Sequence, residues 1–227
     1  MCGRFVQSSS PERLAHLLGA TDVRPHPVGP RFNVAPSTPV AAVIEADGRR
    51  LGSLRWGFIP AWSRQPDSGP QPINARVEGV ASSRLFSPSL VRRRCLVPVD
   101  GWFEWTDEDG ARQPWLLRPT MDEPVAVAGL WALWRPPGSP PDAPPLSTVA
   151  LMTTAAHGKA ADIHHRMPLI VPADLIDAWL DLAVPAEEPL LRELAERPVA
   201  VDVVRVSRRV NDVRNDGPDL LTPAPAP

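Results

Sequence analysis

Apolar residues along this chain fall mostly in short runs with two-residue alternation, separated by turn chemistry, which is the signature of strands rather than of long amphipathic helices. Val40 to Ile44 and Leu51 to Ile59 are two such runs, and Asp47-Gly48 between them is a hairpin signal. Cys95 to Val99 reads as a strand, and Trp102 to Trp105 and Pro114 to Leu117 form a second hairpin around the turn Asp107 to Gly110. Val125 to Trp134, Thr148 to Thr154 and Val199 to Val206 add further strands, and Ile163 to Val171 reads as a loop leading into another. Helical spacing is confined to a few places. Ser10-Pro11-Glu12, followed by Leu14, Leu17, Leu18 and then Gly19, predicts a short capped helix. Others are expected around Glu78 to Leu85, over Ala173 to Asp181 and over Glu187 to Glu196. No regular βαβ rhythm emerges. The expected class is α+β: a single domain over residues 1–222, built on a strongly bent, mostly antiparallel sheet or barrel with flanking helices, and a disordered tail at 223–227.

Composition sharpens this picture. With 43% hydrophobic and 22% charged residues, the 227-residue chain can bury a sizeable core, which excludes wholesale disorder. Its 30 prolines are more than twice the usual ~5% and demand many turns. One Pro-rich loop spans Pro60 to Pro72 and contains Trp62; another, Arg135 to Pro145, reads as an exposed link between paired strands. No apolar run reaches the ~18 residues of a membrane span, and the N-terminus lacks the apolar stretch of a secretory signal, so a cytoplasmic protein with no membrane partner is expected. Two cysteines, Cys2 and Cys95, are too few for a disulfide framework or a four-thiolate zinc site. A net charge of -2 excludes a uniformly basic coat, yet of the 24 basic residues only Lys159 is a lysine. The arginines crowd between Arg84 and Arg94 and again at Arg205, Arg208, Arg209 and Arg214, which allows one positive face on an acidic remainder.

The most informative candidate is Cys2. Removal of the initiator Met1 places an amine and a thiol on one residue, a 1,2-aminothiol, with ordinary pKa values near ~8 and ~8.5, so both nucleophiles are expected to be partly available at neutral pH. The amine can attack an aldehyde to give an imine, and the thiol can then close a hydrolysis-resistant thiazolidine. Cys95 fits an inert, buried thiol. In Gly101-Trp102-Phe103-Glu104-Trp105 the strand period puts Glu104 on the face of Trp102, where partial burial raises a carboxyl pKa toward neutrality. His164 and His165 sit in Ile163-His164-His165-Arg166-Met167-Pro168, and an extended segment sends them to opposite sides, so one of the two enters a shared site. No metal spacing is present among these ligand types, and neither metal nor cofactor is expected. Asn74-Ala75-Arg76 offers an amide to orient an amine and a guanidinium for an anion, and Arg4 lies beside Cys2. Trp62, Leu85 and Phe86 could stack on or wedge between bases. Taken singly, each fits an ordinary core or surface residue as well.

Taken together, the pieces resemble the SRAP family (SOS response-associated peptidase, or abasic site processing proteins). The matching segments are Met1-Cys2-Gly3-Arg4-Phe5, Phe32-Asn33-Val34-Ala35-Pro36, Trp56-Gly57-Phe58-Ile59-Pro60, Ile73-Asn74-Ala75-Arg76-Val77-Glu78, Arg84-Leu85-Phe86, the Glu104 and His164 segments above, Thr153-Thr154-Ala155-Ala156, and Val206-Ser207 through Val213-Arg214-Asn215. The resemblance implies a protein that binds single-stranded DNA and joins Cys2 to the ring-opened deoxyribose of an abasic site as a thiazolidine crosslink, after removing its own Met1; a monomer is expected. It also implies roles. Cys2 is the nucleophile, Asn74 positions its amine, Glu104 moves protons and His164 assists transfer, while Arg4, Asn33, Arg76, Arg166, Ser207 and Arg208 hold phosphates and Trp62, Leu85 and Phe86 handle flanking bases. Two rival readings remain: an N-terminal-nucleophile amidohydrolase of the glutaminase type using Cys2, and a single-strand binding module in which Cys2 is incidental.

Overall fold

The computed structural model describes residues 2–23, 29–66, 69, 71–121, 123–140, 142–186 and 188–224. The first half contains strands β1 (Phe5–Gln7), β2 (Asp22–Val23), β3 (Arg31–Val34), β4 (Pro39–Glu45), β5 (Arg49–Trp56), β6 (Asn74–Arg76) and β7 (Arg94–Val99), with helices α1 (Pro11–Leu18) and α2 (Ser87–Arg92). The second half contains β8 (Gly101–Glu108), β9 (Ala111–Pro119), β10 (Val125–Trp134), β11 (Leu146–Ala155), β12 (Arg166–Pro168), β13 (Ile170–Val171), helices α3 (Ile176–Leu180) and α4 (Glu188–Glu196), and β14 (Val201–Arg205).

Two sheets organise the molecule. In the first, β10 is flanked by β11 and β7, β7 pairs with β4 and β4 with β5, all antiparallel; β5 then meets β11 in parallel, Thr148 opposite Arg55, and closes a five-stranded barrel. The second sheet runs β14-β9-β8-β1-β3. The barrel strands are buried on both faces, which is why their sequences read as near-continuous apolar runs. Ala41 and Val43 of β4 join one core cluster with Leu14 and Leu18 of α1, Leu90 of α2 and Trp179 of α3, whereas Val40 and Ala42 join a second cluster with Phe5 and Trp102 of the other sheet. The opposite face of that second sheet carries Val6, Phe103 and Leu116, covered by Val206, Val210 and Leu220 of the C-terminal segment. Burial of side chains of this size is worth about 1.5–3 kcal/mol each and dominates the gain on folding.

Local chemistry explains the element ends. Ser10 accepts from the Arg13 N–H at the start of α1, and Gly19 ends it at φ 64°, a left-handed position that glycine tolerates. The wholly buried Arg94 donates to the carbonyls of Leu90, Trp179, Asp181 and Val184, so one guanidinium satisfies the ends of α2 and α3. Two expectations need correction. The helix expected over Glu78 to Leu85 is only a 3-10 turn, Val77–Gly79, and the helix forms later, at Ser87–Arg92. Gly79 weakens the earlier stretch, while Pro88, which lacks an N–H, fits the first turn of the later one. The C-terminal tail is also tied down further than expected: Pro223 bridges Val206, and the Ala224 N–H donates to the Arg205 carbonyl at 2.8 Å. Residues 225–227 of the expected tail lie outside the described residues.

Candidate active site

Strand β1 lies between β8 and β3, with Phe5 opposite both Trp102 and Val34. That register lays the preceding Cys2 on the barrel-facing side, where it is 1% exposed and packs in the cluster of Phe5, Trp56 and Trp102. Glu104 follows Trp102 by two residues and shares its face, so it too is buried. Asn74 arrives from the other sheet, on β6, which runs parallel to β11 with Asn74 opposite Leu151. Its Nδ2 donates to the Cys2 carbonyl at 3.0 Å, while its Oδ1 is buried and accepts no hydrogen bond from the described residues.

Burial sets the proton affinities. It pushes the Cys2 thiol well above its usual range, and the nearby negative charge of Glu104 pushes it further. The sequence-based expectation of a thiol partly ionised at neutral pH therefore does not hold for the buried group, because the desolvated thiolate is disfavoured. Glu104 itself is pushed up to about 7, chiefly by burial, with the positive chain terminus and Arg112 pulling the other way. A thiol that holds its proton thus lies near a carboxyl group poised at neutrality. Cys95 is raised by burial alone and faces no such group.

His164 is half-buried, and its Nδ1 stands 3.0 Å from the Arg166 N–H. The same Nδ1 also lies 3.1 Å from the Arg166 carbonyl, so the Arg166 backbone fixes the orientation of the ring. Burial pulls the imidazole pKa down, favouring the neutral form. The two histidine rings do not diverge as an extended segment requires: their centroids lie 4.2 Å apart. The reason is local, because Ile163 and His164 both donate to the Ala160 carbonyl and the segment is a turn until Arg166.

Above these groups opens a cleft of about 500 Å³, bounded by Arg4, Glu104, Trp105, Arg112, His164 and Asn211. The structure thus gathers Cys2, Asn74, Glu104, His164 and Arg4 in one region. The other residues singled out by sequence are placed differently. Asn33 is wholly buried; its Oδ1 accepts from Arg4 at 2.8 Å, and its Nδ2 faces the carbonyls of Val210, Asp212 and Asn215 at 2.9–3.2 Å. Arg166 is buried against Glu78 in a two-point ion pair of 2.5 and 3.0 Å and donates to the Thr153 carbonyl. Phe86 packs edge-on against Phe58 in the core, and Leu85 is half-buried against the same cluster. Trp62 is 74% exposed, and Arg76 and Arg208 are also at the surface. Ser207 caps a short turn by accepting from the Arg209 N–H, and Arg208 Nε donates to Gln113 at 3.3 Å.

Three cleft residues escaped the sequence reading. Trp105 was in plain view, but its period-two neighbour Phe103 points to the opposite cluster and gave it no role. Arg112 is legible only from the hairpin register, which sets it opposite Asp107. Asn211 carries no local signal; it is brought in by the C-terminal segment.

A closed barrel is thus backed by a second sheet, with the buried Cys2 and Glu104 and the half-buried Asn74 and His164 gathered about one cleft. The chain belongs to the SOS response associated peptidase (SRAP) family, whose sequence profile matches residues 1–213. It is 32% identical over 226 residues to the abasic site processing protein YoqW of Bacillus subtilis, covering 97% of this chain and 99% of that one. It is likewise 32% identical over 238 residues to the abasic site processing protein YedK of Escherichia coli, covering 98% and 100%. A protein of Bacteroides thetaiotaomicron known from X-ray crystallography shares the fold, with a TM-score of 0.82 at 18% identity over 98% of this chain and 100% of that one.

Proposed function

We propose that this protein processes abasic sites in single-stranded DNA by forming a thiazolidine between mature Cys2 and the opened deoxyribose. The family membership and the names of its relatives support the lesion; the placement of Cys2 beside Glu104 and Asn74 supports the chemistry. That placement is the observation on which the reading rests.

With Met1 in place the Cys2 nitrogen is an amide and cannot react, so the reading includes self-removal of Met1. The freed amine adds to C1′ of the open sugar, and loss of water leaves an imine. The Cys2 sulfur then adds to the imine carbon, its proton passes to nitrogen, and the five-membered ring closes with no oxidant or metal required. A buried thiol that resists ionisation needs a proton acceptor at the moment of attack, and a carboxyl group with a pKa of about 7 suits it, being able to give a proton to the departing hydroxyl and take one from sulfur. Asn74 holds the Cys2 carbonyl through Nδ2 and leaves Oδ1 to accept from the freed amine. His164, held toward its neutral form by burial at the edge of the cleft, is placed to exchange a proton with the sugar.

The experiment is an intact-mass measurement of the protein before and after mixing with an oligonucleotide carrying one abasic site. The expected result is a mature chain lacking Met1 and a heat-stable adduct of one protein per strand. Cys2→Ser keeps an amine but only a hydrolysable imine, so its stable adduct should fall at least a hundredfold. A Cys2→Ser adduct as stable as the wild type sinks the thiazolidine, and glutamine hydrolysis without any adduct favours the amidohydrolase.

A further inference from the structure

Around Trp105, at the mouth of the cleft, is a small assembly whose Trp105, Arg112 and Asn211 are used by none of the roles above. The guanidinium of Arg112 lies over the Trp105 ring at 5.5 Å and that of Arg4 at 5.9 Å. Trp105 Nε1 donates to Asn211 Oδ1 at 2.8 Å, and Asn211 Nδ2 donates back to the Arg112 carbonyl at 3.0 Å. One asparagine therefore locks both the ring and the backbone beneath the arginine.

The two arginines differ in what they have left to give. Arg4, half-buried at the cleft, already donates to Asn33 and to the Val210 carbonyl, with a longer contact to the Asn211 carbonyl. Arg112 is exposed, borders the cleft and, among the described residues, has the Trp105 face as its contact rather than a carboxylate. A guanidinium stacked on an aromatic ring keeps its five donors in the ring's plane direction and remains free to meet a planar or tetrahedral anion. Of the cationic groups at this cleft it is the one preorganised for a ligand.

We propose that Arg112, seated on Trp105 and tied through Asn211, is a further substrate-binding residue, taking one phosphate of the single strand at the mouth of the cleft. This rests on the reading of the site as one for abasic single-stranded DNA. The same guanidinium acts on the chemistry through space, since it is one of the charges that hold Glu104 down. The charged and titratable groups about Glu104 are Cys2 and Arg4 ahead of β1, Arg112 on β9, His164 ahead of β12 and the chain terminus. Loss of the Arg112 charge leaves burial of Glu104 less opposed, so its carboxyl should then titrate at higher pH.

The test uses the mature full chain and two readouts. The first is noncovalent binding to a single strand with an inert tetrahydrofuran abasic analogue, measured against salt. Each phosphate contact on a single strand contributes about 0.7 to the logarithmic salt slope, and Arg112→Gln should lower the slope by about that amount. Arg112→Lys, which keeps the charge, should restore it. The second is the pH profile of adduct formation at saturating abasic oligonucleotide, whose midpoint should move upward in Arg112→Gln. Arg118→Gln, which removes a charge from the far end of the same strand, should leave both unchanged. A salt slope equal to the wild type, an unmoved midpoint, or an Arg118→Gln variant with the same effects overturns the proposal. Failure of wild-type protein to form any adduct instead overturns the function itself, and is seen without a variant.

Discussion

At the scale of single residues, Glu104 shows how far a two-residue period can carry. The alternation of Trp102, Phe103 and Glu104 sends the first and third inward, and both are buried as that pattern demands. The cost is measurable. In the unfolded chain the carboxyl titrates near its usual 4.5, and in the folded protein at about 7, so between those values the native state holds a proton that the unfolded state has released. The stability this contributes is fully present below pH ~4.5 and is lost as the pH rises through ~7, on the order of 3 kcal/mol in all. Thermal unfolding from pH 5 to pH 8 should therefore show the wild type losing ground that Glu104→Gln keeps; parallel curves would contradict the buried, proton-holding carboxyl. Other residue-level facts had no sequence signal. The orientation of the His164 ring depends on the Arg166 N–H and carbonyl, and the pairing of Arg166 with Glu78 spans 88 positions. Spacing can nominate such residues but cannot say what their atoms already hold.

At the scale of elements, the clearest local signals were caps and turns. Ser10 with Pro11, and Gly19 at the other end, bound α1 by chemistry that acts within one helical turn, and the Asp47-Gly48 turn joins β4 to β5 as its composition requires. The segment after β14 is a different matter, because it has little regular structure and is ordered by side chains from elsewhere. Asn33 is its anchor, facing three of its carbonyls, while Asp216 accepts from the Phe32 and Asn33 N–H groups and pairs with Arg31. Asn33→Ala leaves those buried acceptors and Arg4 without their partner. The expected cost is about 3 kcal/mol in urea unfolding, with faster proteolytic nicking within 208–216. A variant as stable and as resistant as the wild type would show that Asn33 is not the anchor. The single sequence offered an asparagine after a phenylalanine; only the fold reveals that its amide is spent internally.

At the scale of the whole molecule, the sheet-rich α+β class followed from turn density and strand-length apolar runs, but barrel closure did not. Closure depends on the parallel meeting of β5 with β11, strands separated by the second sheet's hairpin and a Pro-rich loop, and no local pattern encodes a contact so distant in sequence. The strands on either side of β10 also pack tightly against it. A Cβ on Gly129 of β10 would stand 2.7 Å from Cys95 Sγ and 3.2 Å from Val149 Cγ2, too near for either to keep its place. Gly129→Ala should cost about 1–3 kcal/mol by overpacking. Combined with Cys95→Ala, which removes the nearer obstacle, it should cost less than the sum of the two single changes, as a double-mutant cycle in urea would measure.

The depth at which Cys2 lies has a bearing on its survival in a cell. Peroxides react with sulfur that is both accessible and ionised, and this sulfur is neither: it is walled in by Phe5, Trp56 and Trp102 and keeps its hydrogen. Under the function proposed above, that sulfur is sheltered in the packed interior until a strand fills the opening over it.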